Sequence, residues 1–439
     1  MIDENWNRKV WHLAGPIVLA NVSIPLLGLV DTAVVGHLPG PQYIGGVAVG
    51  TIIFSIIFFS FNFLRMGTTG LTAQAQGAGD FDEVRATLAR AVFLGIGIGI
   101  AFVALQVPIL WLGLTIAGPS ETVAPLAQSY FDIRIWGAPA TFINYALVGW
   151  FIGIHNTRAT LIHQIFMNGI NIILDLVFVM GLDMGVEGVA YATLIAEYGA
   201  AVLGFWLVRR NLAPMAGRLH LEQVRNPIQM RRMMSVNRNI LLRSLCLQTA
   251  FVLFTSIGAR MGDTVLAANA ILLNFQLLLS FFLDGFAQAA EALVGDAIGA
   301  RDRARFRAAV KASSIWALAF ALLYSVIYFA FGGQLIDLMT NVETVQEVAR
   351  IYLPWVAVSP LLSFWSFQLD GIYIGATRAR EMRNSMATAL LFYLIGLLVL
   401  IPLWGNHGLW ASFMILMIVR SITMGWGYPK IEREVGAET

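Results

Sequence analysis

The chain has a single cysteine, Cys246, and few charges: of 439 residues only 12% are Asp, Glu, Lys or Arg. One cysteine excludes an internal disulfide framework and a Cys-rich metal site. Its simplest role is that of a small apolar packing residue. Soluble domains are about a quarter charged, so the depletion is about two-fold, and 58% of the residues are hydrophobic. That composition excludes an ordinary soluble domain and points to the membrane. Catalytic signatures are lacking too: there is no Gly-x-Ser-x-Gly elbow, no His-Glu-x-x-His and no P-loop. The six histidines are scattered without metal spacing. An enzyme and a resident cofactor are therefore not expected. Without an ATP site, any active transport would have to run on an ion gradient. The opening MIDENWNRKV is polar and precedes an apolar run too long for a signal core, so that run reads as a retained helix.

What is present is a series of long apolar runs. A membrane-crossing helix needs about 20 mostly apolar residues. That ruler gives twelve spans, near 11–37, 43–75, 87–112, 124–154, 159–180, 186–209, 239–260, 265–298, 308–331, 345–375, 384–404 and 407–428. Arginines crowd the connections after the sixth, eighth and tenth spans: Arg209 to Arg238, Arg301 to Arg307, and Arg378 to Arg383. The positive-inside rule then places both termini in the cytoplasm. The opposite loops carry mainly acids such as Glu121, Asp183 and Asp263, with Arg260 the main exception. Topology and anionic lipid account for the arginines, so no nucleic-acid role is needed.

The longest polar segment, 209–238, contains Pro214 and Pro227 and splits the chain nearly in half. A shift of 222 residues lays Ala75, Gly77, Ala78 and Asp80 on Ala297, Gly299, Ala300 and Asp302. It also lays Tyr130 on Tyr352, and Gly149 and Gly153 on Gly371 and Gly375. One unbroken offset serving separate regions indicates an internal duplication. Six helices per half is an even number, so both halves insert the same way up. The expected organisation is an amino-terminal six-helix lobe over 1–208, a cytoplasmic linker over 209–238 and a carboxyl-terminal lobe over 239–439. Transporters built from such parallel repeats bind cargo near the midplane.

Ionisable groups at membrane depth are costly, so each needs a reason. The acids are Asp31, Asp175 and Glu197 in the first half and Asp284, Glu291 and Asp370 in the second. Arg65, Arg134, Arg243 and Arg420 are the bases. Under the 222 shift Asp31 falls on Leu253, Asp284 on Asn62 and Asp370 on Val148, so the repeat preserves the scaffold and not the charges. Asp31 shares a helix with Pro16 and Pro25, each of which removes a backbone hydrogen bond and can kink it. A kinkable helix with a titratable group suits a proton-driven switch. Asn168, Asn171 and Asp175 recur at spacings of three and four and share a face, and Thr193 could join them. Carboxylates with amide and hydroxyl oxygens also make a cage for a hard monovalent cation. The residues alone do not separate proton from sodium. Helix-to-helix hydrogen bonding is the alternative role for the acids, structural pairing for the arginines, solvation for Glu291, and packing for Tyr130 and Tyr145.

PLLGLVDTAVVGHL, FLRMGTTGLTAQAQGAGD, GWFIGIHNTRA, NIILDLVFVMGLDMGVEGVAYATLIAEY, LDGFAQAAEALVGDAIGARD and LDGIYIGATRAREMRNSM resemble the MATE (multidrug and toxic compound extrusion) transporters, in their bacterial DinF-type branch. The resemblance covers nearly the whole chain. It implies an all-α membrane protein with two six-helix lobes forming a V. It implies antiport of organic, often cationic, compounds against protons or sodium by alternating access. Its amino-lobe cation site falls on Asp31, Asn171, Asp175 and Thr193, and its helix-one bending proline on Pro16. The carboxyl-lobe acids fall on Glu291 and Asp370 with Asp284 beside them, and Tyr130 and Asn144 fall among candidate cavity residues. DinF-type proteins are usually proton-driven, so the expectation is a proton-coupled efflux antiporter of the bacterial inner membrane, monomeric, with drug-like small molecules and lipid as partners. A sodium-coupled antiporter and a lipid-linked oligosaccharide flippase of the same superfamily are the alternatives.

Overall fold

The computed structural model describes residues 4–38 and 40–436. Among these residues every regular element is helical, and twelve helices are long and apolar enough to cross a membrane. They are α1 (Glu4–Gly36), α2 (Pro41–Gly77), α3 (Phe81–Ala104), α4 (Ala124–Gly153), α5 (Thr157–Gly181), α6 (Gly185–Leu212), α7 (Pro227–Arg260), α8 (Asp263–Gly299), α9 (Arg303–Met339), α10 (Glu343–Gly375), α11 (Ala379–Trp404) and α12 (Asn406–Glu434). The twelve match the spans expected from sequence in number and order. The third differs in extent: α3 ends at Ala104, and the apolar stretch beyond Leu105 becomes a separate helix, Gln106–Ala117. Apolar residues alone do not show where a helix breaks. At 37 residues, α8 and α9 run to about 55 Å at 1.5 Å per residue, well beyond a hydrocarbon core of about 30 Å.

Several helices carry local defects. α1 runs unbroken through Pro16 and Pro25. α2 is interrupted at Asn62. α4 tightens into a 3₁₀ turn at Ile135–Gly137, and α5 loosens into a π-helical turn at Leu176–Gly181, directly after Asp175. Wide turns of this kind are frequent at functional sites.

The chain divides into two compact units: Leu19–Met233, and Met234 onward together with the residues up to Val18. α1 and α7 each pass from one unit into the other. In the first unit Val34, Phe54, Tyr130, Phe131 and Val189 form one apolar cluster. Trp150 lies in another, donating from Nε1 to the Val84 carbonyl at 3.0 Å. In the second unit Phe254, Phe275, Tyr328, Trp410 and Phe413 form the core. A reciprocal amide pair, Asn269 with Asn406 at 2.8 and 2.9 Å, fastens α8 to α12, and Trp410 Nε1 donates to the same Asn269 oxygen at 2.9 Å.

The duplication is visible in backbone detail. Asp80 and Asp302 cap α3 and α9, each accepting from the backbone N–H three residues on at 2.9 Å. An oxygen at that position satisfies an orphan donor of the first turn. His155 and Thr377, 222 residues apart, are both left-handed, with φ of 62° and 55°. The next N–H in each case returns to a carbonyl five residues back at 2.9 Å, Asn156 to Phe151 and Arg378 to Tyr373, which closes the end of a helix. A side chain at Gly149 would collide with the Arg65 carbonyl, and one at Gly371 with the Ala287 carbonyl. Arg65 and Ala287 are themselves 222 apart. The fourth helix of each half therefore packs on the second helix in the same register.

The segment that follows α6 is fastened to the start of α3. Arg85 Nη2 donates to the carbonyls of Leu212 at 3.0 Å and Met215 at 2.8 Å. Arg90 Nη1 donates to the Gln223 carbonyl at 2.7 Å, and Asp82 accepts from the Arg218 N–H at 2.5 Å. Arg307 stands 222 residues after Arg85 and donates to the Glu432 carboxylate near the end of α12 at 2.5 Å, an arginine at the same repeat position with a side-chain instead of a backbone acceptor.

Candidate functional site

The first unit gathers the predicted cation-site residues. Spacings of three and four put Asn168, Asn171 and Asp175 on one face of α5, and all three are buried, Asp175 with no exposed surface. Asn168 donates to Ser23 Oγ of α1 at 2.8 Å and accepts from Gln164 at 3.0 Å. Asn171 Nδ2 donates to Thr193 Oγ1 of α6 at 3.2 Å, and Thr193 in turn donates to the Val189 carbonyl at 3.0 Å. The Asp31 carboxyl of α1 lies close enough to that of Asp175 for the two to interact directly. Thus Asp31, Asn171, Asp175 and Thr193, from three helices, come together as expected.

Their oxygens are short of donors. Apart from what the two carboxyls offer each other, both Asp175 oxygens, Asp31 Oδ1 and Asn171 Oδ1 are buried without a hydrogen-bond donor among the described residues. Two carboxylates side by side cannot both stay ionised without compensation. The cluster can take a proton on one acid, or a small cation among carboxylate, amide and hydroxyl oxygens. No group of three or more His, Cys, Asp or Glu arranged for a metal occurs among the described residues, so a cation here would rest on the amide and hydroxyl as well.

The second unit treats its acids differently. Asp370 of α10 is buried and held through Oδ2 by both Arg243 of α7 and Arg420 of α12. Asp284 of α8 adds a second negative charge to the two arginines. Glu291 is buried, with 1% of its surface exposed, so the solvated alternative for it does not hold: α8 packs there against the α10 backbone at Gly375. Sequence lists these charges separately; it does not show that α7, α10 and α12 bring two arginines onto one carboxylate oxygen. It likewise does not show that Arg134 and Glu197 pair across α4 and α6 at 2.9 and 2.6 Å. Tyr130 is buried against Phe54, and Asn144 binds the Glu197 carbonyl at 3.0 Å and His163 at 3.2 Å. The Asn168–Ser23 link and the π turn behind Asp175 also escaped the sequence reading. Ser23 is a polar residue at membrane depth, and that was the available signal.

Among the described residues, twelve helices long and apolar enough to cross a membrane, in a duplicated arrangement with buried charge clusters, are the architecture of a membrane transporter. The MatE family model matches residues 16–177 and again residues 240–401, one copy in each half, and the chain belongs to this family, the multidrug and toxic compound extrusion transporters. It is 43% identical over 424 residues to the DNA damage-inducible protein F of Escherichia coli K12, covering 95% of this chain and 91% of that protein, which puts it in the DinF-type branch. It is 24% identical over 459 residues to a probable multidrug resistance protein NorM of Rhizobium meliloti, covering 99% and 96% of the two chains. The crystal structure of the Vibrio cholerae MATE transporter VcmN in its bent form matches with a TM-score of 0.86 at 21% identity, over 98% of this chain and 97% of that one.

Proposed function

We propose that this transporter exports organic, often cationic, compounds in exchange for protons, with Asp31 and Asp175 as the coupling groups. The observation that carries this reading is the Asp31–Asp175 carboxyl pair, in which both Asp175 oxygens and Asp31 Oδ1 are buried without another protein donor. Protonation of Asp31 removes the charge and its desolvation cost, and that permits a different packing of α1. Pro16, which lacks an amide hydrogen, is the place at which α1 bends. The bend closes the amino-terminal lobe, 1–208, and expels cargo outward, while 209–238 serves as the cytoplasmic linker to the carboxyl-terminal lobe, 239–439. The protein acts as a monomer in the bacterial inner membrane with both termini inside, in keeping with its arginine-rich loops.

Sodium coupling is the second reading, and the specific observation for it is Asn171 Oδ1, a buried amide oxygen without a donor beside the two carboxyls. A lipid-linked oligosaccharide flippase is less well supported. Pyrophosphate cargo calls for available arginines, whereas Arg134, Arg243 and Arg420 are each engaged on a carboxylate. Reconstituted transport of ethidium under a pH gradient alone, then under a sodium gradient alone, separates the readings. Asp31→Asn is expected to abolish coupled efflux with the protein still folded. A variant that still concentrates ethidium against a gradient would sink the assignment.

A further inference from the structure

The coupling mechanism makes no use of the exposed face that α5 and α6 share. On α6 the exposed residues Ile195, Tyr198, Val202, Phe205 and Trp206 recur at spacings of three and four. They form one stripe, and it ends in exposed Arg209 and Arg210. On α5 exposed Arg158 precedes Ile162, Phe166 and Ile173 in a stripe of the same spacing.

Three contacts fix how the two helices lie side by side. Asn156, just before α5, donates to Asn211 Oδ1 of α6 at 2.7 Å. A Cβ at Gly204 would meet His163 Cδ2 at 3.3 Å, and one at Gly199 would meet Phe166 Cε1 at 3.7 Å. The helices are therefore antiparallel, and each step forward on α5 is a step back on α6. Counted from these contacts, Arg158 stands level with Arg209, and Arg210 is one residue, about 1.5 Å, further along. Ile162 stands level with Phe205. Gly199, with no side chain of its own, leaves the Phe166 ring open along the seam.

Length sets the depth of this face. At 28 residues, α6 is about 42 Å long, close to the thickness of a bilayer with its headgroups, about 40–45 Å. Arg209 and Arg210 in its last turn thus fall in the headgroup layer. Trp206, one turn earlier, sits at the interface that tryptophan favours. The Arg210 guanidinium lies 5.7 Å from the Trp206 ring centroid, which holds the charge beside the apolar stripe. Among the described residues, none of the three arginine side chains is in an ion pair or a hydrogen bond. The nearest acid on either helix, Glu197, is twelve residues before Arg209 and is engaged by Arg134.

We propose that this face is a binding site for an anionic phospholipid. Arg158, Arg209 and Arg210 take the headgroup phosphate, and the stripe through Ile162, Phe166 and Val202 takes the acyl chains. Charge selects the occupant: a guanidinium offers a phosphate two parallel N–H donors. A second copy docked through the same face would set like charges against each other, and a soluble partner would not reach the apolar stripe below the headgroups. The proposal rests on the helices spanning a membrane and is independent of the coupling ion. Bound there, the lipid bridges the ends of the two helices that carry Asn171 and Thr193.

The test is native mass spectrometry of the whole transporter in detergent micelles doped with phosphatidylglycerol or phosphatidylcholine, with a thermal-shift series on the same samples. The wild type should retain phosphatidylglycerol adducts and melt several degrees higher with that lipid than with phosphatidylcholine. Arg158→Gln/Arg210→Gln should weaken the adducts about thirty-fold, at about five-fold per arginine, and should remove the difference in melting. Arg225→Gln/Arg231→Gln removes two exposed arginines outside this face and should change neither. Inorganic phosphate alone should give no stabilisation. If the first double variant fails to fold, Arg210→Gln alone should show about a five-fold loss, and undiminished adducts there overturn the proposal. Equal retention of the two lipids overturns it as well, as does equal loss in both double variants or stabilisation by inorganic phosphate. A dimer whose population ignores the lipid would assign the face to a second copy instead and overturn it too.

Discussion

Thr193 accepts a hydrogen bond from the Asn171 amide at 3.2 Å, joining α6 to α5 one turn from Asp175. The hydroxyl hydrogen is committed to the Val189 carbonyl at 3.0 Å, so the oxygen faces Asn171. Thr193→Val keeps the shape and strands a buried amide, at a cost of about 1–3 kcal/mol. The expected outcome is a several-fold loss of ethidium efflux at unchanged expression, with Thr193→Ser close to wild type. Equal efflux in the valine and serine variants would remove the hydroxyl from the site.

Asp370 has a different role from Asp31, although the sequence gives both as lone acids in apolar helices. Two arginines converge on it. Breaking a buried pair from one side typically costs about 3–5 kcal/mol, because the remaining charge is stranded. Asp370→Ala should therefore lower the unfolding temperature in detergent by several degrees, while Asp31→Asn, which removes a charge that has no partnered arginine, should lower it little or raise it. A thermal-shift comparison of the two variants reads this directly. If Asp370→Ala melts like wild type, the cluster is not structural.

How far these sites could be read from sequence depended on the kind of information each required. Twelve spans followed from apolar length. The 222-residue offset followed from glycines and caps that backbone geometry demands, such as Asp80 and Asp302. The face carrying Asn168, Asn171 and Asp175 followed from helical spacing, which is local. Pairing between distant helices is not local. Nothing in the spacing of Arg243, Asp370 and Arg420 distinguishes a shared carboxylate from three separate charges. The repeat gave no help, because Val148, the counterpart of Asp370, has no charge. Helix breaks at Asn62 and Leu105 were also hidden, since hydropathy continues across both.

Arg85 closes the carboxyl end of α6 by donating to the carbonyls of Leu212 and Met215. Leu212 is the last residue of α6 and its carbonyl also accepts from the Met215 N–H at 3.2 Å, so Arg85 reinforces the turn that ends the helix. Arg85→Ala should release the segment from Met215 to Gln223 without touching the membrane-buried acids. The expected result is faster trypsin cleavage at Arg218 and Arg225 in detergent, with ethidium efflux within about two-fold of wild type, since surface contacts of this kind are worth little individually. Unchanged cleavage kinetics would mean that Arg90 and Asp82 hold that segment alone.

The glycines of the fourth helix in each half test the duplication as packing rather than as sequence. Gly149 lies against the Arg65 carbonyl and Gly371 against the Ala287 carbonyl, both backbone atoms that cannot rotate away. Alanine at either position forces two helices apart. Overpacking of this kind costs about 1–3 kcal/mol, and more where the obstacle is backbone. Gly97 of α3 is the control: it is exposed on its helix, and an added Cβ meets nothing within 4 Å. Alanine there relieves the helix penalty of glycine, about 0.5–1 kcal/mol. Fluorescence-detected size-exclusion after a heating series should show Gly149→Ala and Gly371→Ala both destabilised by similar amounts, and Gly97→Ala neutral or slightly stabilised. A large difference between the first two would mean that the two halves share a sequence register without sharing the tolerance of their helix contacts.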